Sequence, residues 1–324
     1  MKKNIALMAG GYSGEYSVSL EGAKQIEDNL KEDYNIYKII LVKQDWYYEK
    51  DNKKYSVEKS DFTLNIEGKK IAFDAAFIII HGTPGENGLL QGYFEMLDIP
   101  YTTCDSLTSA ITFDKVVCNA VVKDLNVVNV ANNYSIYDYQ KIDTKEILIK
   151  VALPVFVKPS QGGSSIGMTK VKQEKDLESA IKKAFTVHNK VIIEQGISGR
   201  EFSCGVFTVD KKVVALPVTE IVSKKEFFDY QAKYEGLSDE IVPASINDEL
   251  KDRIQQTTKK VYKGLNCKGV CRIDFIYDNK NDKLFFLEVN TTPGQSLHSI
   301  VPNQVRAYGK DVRWLYNQQL KEIL

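Results

Sequence analysis

Two apolar-rich stretches near the C-terminus, residues 270–277 and 284–289, constrain this chain more than any other feature. The polar link 278–283 between them is rich in turn formers, which predicts an antiparallel hairpin. With the turn centred on Asn281, Asp274 lies opposite Glu288 and Arg272 opposite Asn290. The two-residue period of a strand places all four on one face. Ile273, Phe275, Leu287 and Val289 then share the other face, which reads as core. A slip of one residue would spoil both faces, so the register is strongly specified. Two carboxylates and an amide oxygen on one face suit a hard cation such as magnesium, completed by water and phosphate. Arg272 beside them would meet an anion or a developing oxyanion. The same four residues also suit an exposed polar face with a surface ion pair.

The N-terminal third has a different pattern. A short apolar run, 5–9, ends at Gly10-Gly11 and is followed by helical spacing over 18–30. Strand, glycine turn and helix open a βαβ unit. Residues 37–42 read as the next strand, 46–71 as hairpins, and 75–80 as a buried parallel strand. A helix over 88–97 stops at Asp98-Ile99-Pro100. Beyond it, 107–125 is helical and 154–158 and 168–171 are strands around the loop 160–167. Asp176 should cap a helix reaching about 185. Strand character follows over 190–195 and 201–222, then a long surface loop over 223–243 and a helix over 247–265. Loops of that length inside a compact domain are usually functional.

At 324 residues the chain exceeds one ordinary core and should form two or three domains. Lys plus Arg and Asp plus Glu both number 43, so no general field attracts nucleic acid or an anionic membrane. Anion binding must therefore come from local geometry. The five cysteines are scattered and form no C-x-x-C pair, which predicts reduced thiols and no zinc ribbon. The apolar segment after Met1 is too short for a signal-peptide core, and no run is long enough for a membrane span. A cytoplasmic protein is the expectation.

Other residues carry chemistry in pattern. Lys158-Pro159-Ser160 followed by Gly162, Gly163 and Gly167 sets backbone amides and hydroxyls beside a lysine, which suits polyphosphate. A plain glycine-serine hairpin turn has the same composition, and no Walker A pattern is present. Glu15 follows Gly10-Gly11-Tyr12-Ser13-Gly14 at the start of a helix, where an acid also simply complements the helix dipole. His81 ends a buried strand at the carboxyl side, where α/β proteins place ligands. Lys115 lies within a helical pattern, where lysines usually face solvent. His188 reads as a surface residue, and His298 fits either role.

Taken in order, these segments resemble the D-alanine–D-alanine ligase family of ATP-grasp enzymes along nearly the whole chain. The matching motifs are Gly10 to Glu15 with Val18-Ser19-Leu20, His81-Gly82, Gly85-Glu86-Asn87-Gly88, and Asp114-Lys115. They continue through Val157-Lys158-Pro159, Gly163-Ser164-Ser165-Ile166-Gly167, Gly199 with Glu201-Phe202, residues 230–234, Arg272-Ile273-Asp274, and Leu287-Glu288-Val289-Asn290 to Pro293-Gly294.

The resemblance implies a Rossmann-like N-terminal substrate domain (1–103) followed by a two-part ATP-grasp fold, with a central subdomain (104–189) and a C-terminal one (190–324) holding the metal site and a lid at 223–243. It implies that ATP activates one D-alanine as an acyl phosphate, which the amine of a second attacks. Lys115, Lys158 and Ser165 would hold the nucleotide phosphates. Glu194, Gln195 and Ile197 would meet adenine, and Glu201 the ribose. Asp274, Glu288 and Asn290 would bind two Mg2+ (or Mn2+) ions, with Arg272 and the Gly294 backbone as oxyanion donors. Glu15 would bind the first substrate's ammonium and bond to Ser164 and Tyr234. His81 would lie near that substrate, while Lys233, Ser299 and Ile300 would meet the second one or the transferring phosphate. The family also implies a homodimer.

Gln161 and Gly162 stand where many relatives are charged, and Gly196 where a bulkier hinge residue is common. The intact Lys233-Tyr234 pair favours a dipeptide product over a D-lactate or D-serine product. A non-catalytic nucleotide-binding protein would lack a metal ligand or phosphate lysine, and none is lacking. An NAD-dependent oxidoreductase would need the G-x-G-x-x-G fingerprint, which is absent.

Overall fold

The structure is a computed structural model that describes residues 2–43, 45–223 and 238–324. Its first sheet follows from the alternation within β1 (Asn4–Gly10). Ile5, Leu7 and Ala9 enter one core with Ala23, Ile26 and Leu30 of α1 (Tyr16–Leu30). Ala6 and Met8 enter the opposite core with Leu90 and Phe94 of α2 (Leu89–Met96). A strand covered on both faces must be apolar at every position, which is why 5–9 shows no polar interruption. β2 (Asn35–Val42) and β7 (Ala75–Ile78) flank β1 in parallel. The antiparallel strands β3 (Asp45–Lys50), β4 (Lys53–Glu58), β5 (Thr63–Ile66) and β6 (Lys69–Ile71) extend the sheet beyond β2. Their hairpins are those that the aromatic and charged alternation over 46–71 predicts.

The helical pattern over 107–125 is interrupted. Asp114 takes an extended conformation between α3 (Ser106–Phe113) and α4 (Lys115–Asp124), and its carboxylate accepts from the Val116 and Val117 amides. That cap starts a new helix at Lys115 and turns this residue from mid-helix to first turn.

β9 (Asn133–Tyr137), β10 (Val155–Pro159), β11 (Thr169–Val171) and β12 (Lys190–Gln195) form a four-stranded antiparallel sheet. α5 (Thr144–Lys150) and α6 (Leu177–Phe185) supply Ile147, Leu177, Ile181 and Ala184 to its core. Asp176 ends a short 3-10 turn and makes no capping bond, contrary to the sequence expectation.

The third sheet runs β16-β15-β13-β17-β18-β8, with β14 against β13. Its members are β8 (Asn129–Val130), β13 (Arg200–Val209), β14 (Lys212–Ala215), β15 (Thr219–Ser223), β16 (Ser238–Ile241), β17 (Cys271–Asp278) and β18 (Lys283–Asn290). Residues 238–241 were expected within a surface loop; they pair instead with β15. α7 (Asp248–Gly264) packs Leu250, Ile254 and Val261 beneath this sheet, its first turn capped by Asn247. α8 (Ile300–Ala307) and α9 (Val312–Ile323) close the chain, α9 returning Leu315, Tyr316 and Leu320 to the core of α1. Among the described residues, no helix is long and apolar enough to cross a membrane.

The hairpin register holds where the chemistry sits and slips where it does not. Arg272 faces Asn290 and Asp274 faces Glu288 as expected, but a bulge between Asp274 and Phe275 then pairs Phe275 with Phe286. Leu287 is consequently only half-buried, and Leu284 and Phe286 join Ile273, Phe275 and Val289 in the core. A bulge strengthens local twist and re-aims the side chains beside it.

Candidate active site

Three turns from distant parts of the sequence converge. Glu15 precedes α1, and its Oε1 accepts a 2.7 Å hydrogen bond from Ser164 Oγ in the loop after β10. Ser164 and its neighbour Ser165 both hold positive φ (52° and 58°), the left-handed conformation of a tight turn. His81 follows β7, and its Nδ1 lies 2.8 Å from the Thr292 carbonyl beyond β18. The carbonyl can only accept, so Nδ1 carries the proton. Burial holds the His81 imidazole below its ordinary range.

Glu86 completes this corner, a residue quoted in a motif above but not assigned a role there. Its Oε2 accepts from the Gly82 amide at 2.7 Å and its Oε1 from the Thr292 amide at 3.2 Å. Burial, then the Glu15 charge, push its carboxyl up to about 8, against the pull of those two amides. Glu86 thus fastens the turn after β7 to the turn after β18.

On the polar face of the hairpin, Asp274 is buried and densely bonded. Arg272 donates from Nε (3.0 Å) and Nη2 (2.8 Å), Ser203 Oγ donates at 2.5 Å, and the Asn290 amide donates at 3.2 Å. Burial penalises the Arg272 guanidinium, but Asp274, Glu288 and Glu240 more than offset it and hold the group charged. Ser203 and Glu240, on β13 and β16, carry no motif that sequence reasoning could have used.

The two lysines sit where the cap at Asp114 and the strand β10 direct them. Lys115 Nζ donates to the Gly162 carbonyl at 2.7 Å, tying α4 to the glycine-rich loop. Lys158 forms a buried 2.6 Å ion pair with Glu194, whose other oxygen accepts from Asn119 at 2.6 Å. Burial works against the Lys158 ammonium, yet Glu194, Glu288 and Glu201 together raise it above its ordinary range. Asp114 is itself held by Ser160 Oγ (2.6 Å) and Lys190 (3.2 Å).

Gln195 and Ile197 flank Gly196, whose amide donates to the Pro154 carbonyl at 2.8 Å. A Cβ on Gly196 would lie 2.8 Å from that same oxygen, which explains the absence of a bulkier residue. Ser299 precedes α8, bonded to the Ser296 amide and hydroxyl, and abuts Gly294; Ile300 is buried in the first turn. Lys233 and Tyr234 lie outside the described residues.

The donor set of Asp274, Glu288 and Asn290 fits a hard divalent cation by its chemistry: two carboxylates and an amide oxygen on adjacent strands. The buried Asp274 already requires a positive partner, a part that Arg272 takes here.

The overall fold is shared with solved ligases. The D-Ala:D-Ser ligase VanG of Enterococcus faecalis superposes with a TM-score of 0.89 at 32% identity, covering 99% of both chains. D-alanyl-alanine synthetase A of Vibrio cholerae gives 0.87 at 25% identity over 99% of this chain and 98% of that one. The fold is therefore that of the ATP-grasp ligases. The family model for the D-ala D-ala ligase N-terminus matches residues 4–104, and that for the D-ala D-ala ligase C-terminus matches 121–321. Curated relatives named D-alanine–D-alanine ligase are 44% identical: one from Bacteroides fragilis over 97% of both chains, another from Christiangramia forsetii over 100% of this chain and 99% of its own. The chain belongs to the D-ala D-ala ligase family.

Proposed function

We propose that this enzyme joins two D-alanine molecules into D-alanyl-D-alanine at the cost of ATP, a step that supplies peptidoglycan precursors. The observation that carries the reading is the convergence of Glu15, Ser164 and His81 with the Arg272–Asp274 pair, on a chain similar throughout to ligases of that name.

A free carboxylate is a poor electrophile, so phosphoryl transfer from ATP must precede amide formation. Lys115, Lys158 and Ser165 hold the phosphates, and Gln195 and Ile197 edge the adenine. Glu194 fixes Lys158 through Oε2 and accepts from Asn119 at Oε1, and each oxygen keeps a lone pair with which to meet adenine. Glu201, whose charge acts on Lys158, reaches the ribose. Glu15 receives the first substrate's ammonium, with Ser164 fixing its carboxylate. Asp274, Glu288 and Asn290 would hold Mg2+ or Mn2+, which when bound would supply positive charge to offset that of the transferring group. Arg272 and the Gly294 amide face the oxyanion of the tetrahedral step. Ser299 and Ile300 border the second substrate, together with Lys233.

The three sheets suggest three units, with α3 and α4 belonging to the C-terminal core and β12 to the central sheet. A cytoplasmic homodimer joined through the N-terminal unit completes the reading.

Phosphate release from ATP and magnesium, with D-alanine, L-alanine and D-alanine plus D-serine or D-lactate compared, tests the proposal. D-alanine-dependent release and a dipeptide identified by mass support it. A mixed product formed in preference would move the assignment to a D-serine or D-lactate ligase, and no D-alanine dependence would overturn it. Tyr234→Phe should increase the D-lactate product; an unchanged product ratio would remove that residue from acceptor selection.

A further inference from the structure

The five cysteines look scattered in sequence, but the fold gathers three of them. Cys104, Cys267 and Cys271 place their sulfurs within 4.8 Å of one another, and Cys104 and Cys271 are 3.8 Å apart. All three are buried, and Cys267, at 7%, is the most exposed. Cys267 and Cys271 straddle a turn made by Gly269 at φ +63°, where a Cβ would sit 2.1 Å from the Thr102 carbonyl. Glycine there lets the turn press against the segment carrying Cys104. Cys118 and Cys204 are also buried free cysteines but stand outside this cluster.

Convergence of three sulfurs is more than packing requires, because a fourth donor lies in place. The Lys268 carbonyl oxygen is 3.3 Å from the Cys104 sulfur and 3.8 Å from that of Cys271. A tetrahedral zinc with Zn–S of about 2.3 Å and Zn–O of about 2.1 Å has S···S edges of about 3.8 Å and S···O edges of about 3.6 Å. The Lys268 amide also donates to the Cys104 sulfur at 3.3 Å, the contact that favours a thiolate over a thiol.

We propose that Cys104, Cys267 and Cys271, with the Lys268 carbonyl, form a structural zinc site of S3O type, separate from the hard-oxygen face of Asp274, Glu288 and Asn290. Zinc replaces the thiol protons, which pass to solvent, so that three thiolates and one carbonyl surround the ion. Soft thiolates select such an ion against magnesium. The site ties the end of the N-terminal unit to the first residue of β17, immediately before Arg272.

The test uses the full-length chain, reduced, stripped with a chelator and given one equivalent of Zn2+. X-ray absorption at the zinc edge should return three sulfurs at about 2.3 Å and one oxygen at about 2.0–2.2 Å. Cys267→Ser should weaken zinc at least tenfold and remove the Cd2+–thiolate absorption band, whereas Cys118→Ser should change neither. Zinc should raise the melting temperature of the wild-type chain and leave that of Cys267→Ser unmoved. Zinc surrounded only by oxygen or nitrogen would place it on the Asp274 face and overturn the proposal. Equal affinity in wild type and Cys267→Ser would do the same. The absorption measurement on the wild-type chain stands even where a variant fails to fold.

Discussion

Ser164 Oγ donates to Glu15 Oε1 at 2.7 Å, across 149 residues of sequence, and so joins the glycine-rich loop to the start of α1. If Glu15 receives the substrate ammonium, its orientation depends on this hydroxyl. A hydrogen bond to a charged group contributes ~1.5–3 kcal/mol. Ser164→Ala should therefore lower kcat/KM for D-alanine roughly 10- to 100-fold, with Glu15→Gln lower still. Steady-state kinetics of both variants at saturating ATP check this; wild-type kinetics in Ser164→Ala would separate the contact from the reaction.

Glu86 should impose a pH dependence on stability. Burial and the Glu15 charge raise its carboxyl from 4.5 to about 8. The folded chain then binds this proton more tightly than the unfolded one. The group's contribution is complete below pH 4.5 and is lost as pH rises toward 8. Urea midpoints should fall across that window, and Glu86→Gln should flatten the decline. The Gln variant also gives up one acceptor for the Gly82 or Thr292 amide, so it should be less stable at acidic pH. An identical pH dependence in wild type and Glu86→Gln would show Glu86 ionised throughout.

The pairing of Asp274 with Glu288 and of Arg272 with Asn290 was legible because alternation and turn position agree there. The bulge was not, because Phe285, Phe286 and Leu287 are all apolar and periodicity cannot say which one is extra. The helix break at Asp114 was hidden similarly: the apolar period runs through it, and only the cap marks the restart at Lys115. Glu15 and Ser164 came together through the family resemblance, since nothing local relates them. The cysteine cluster escaped for the opposite reason, having no family motif and a separation of 163 or more positions between Cys104 and its partners.

Asp274 and Glu288 should respond differently to neutralisation. Asp274→Asn leaves the buried Arg272 guanidinium without its main partner, and breaking a buried pair costs about 3–5 kcal/mol. That loss should appear as a lower urea midpoint even without metal. Glu288→Gln should keep the fold and instead need several-fold more Mg2+ for half-maximal activity. Identical magnesium dependence in Glu288→Gln and wild type would take Glu288 out of the metal site.

The two glycine departures test opposite physical effects. At Gly162, φ is +123° and nothing lies within 4 Å of the point a Cβ would occupy, so Ala there is resisted by backbone conformation alone, at about 1–3 kcal/mol. Its carbonyl anchors Lys115, so Gly162→Ala should disturb phosphate binding and lower kcat. At Gly196 the obstacle is packing: a Cβ meets the Pro154 carbonyl at 2.8 Å and Pro154 Cγ at 3.4 Å. Gly196→Ala must part the end of β12 from the start of β10, at about 1–3 kcal/mol. Because Gln195 and Ile197 would move with it, KM for ATP should rise several-fold while kcat holds. A destabilised Gly196→Ala chain with unchanged KM for ATP would show that this segment does not border adenine.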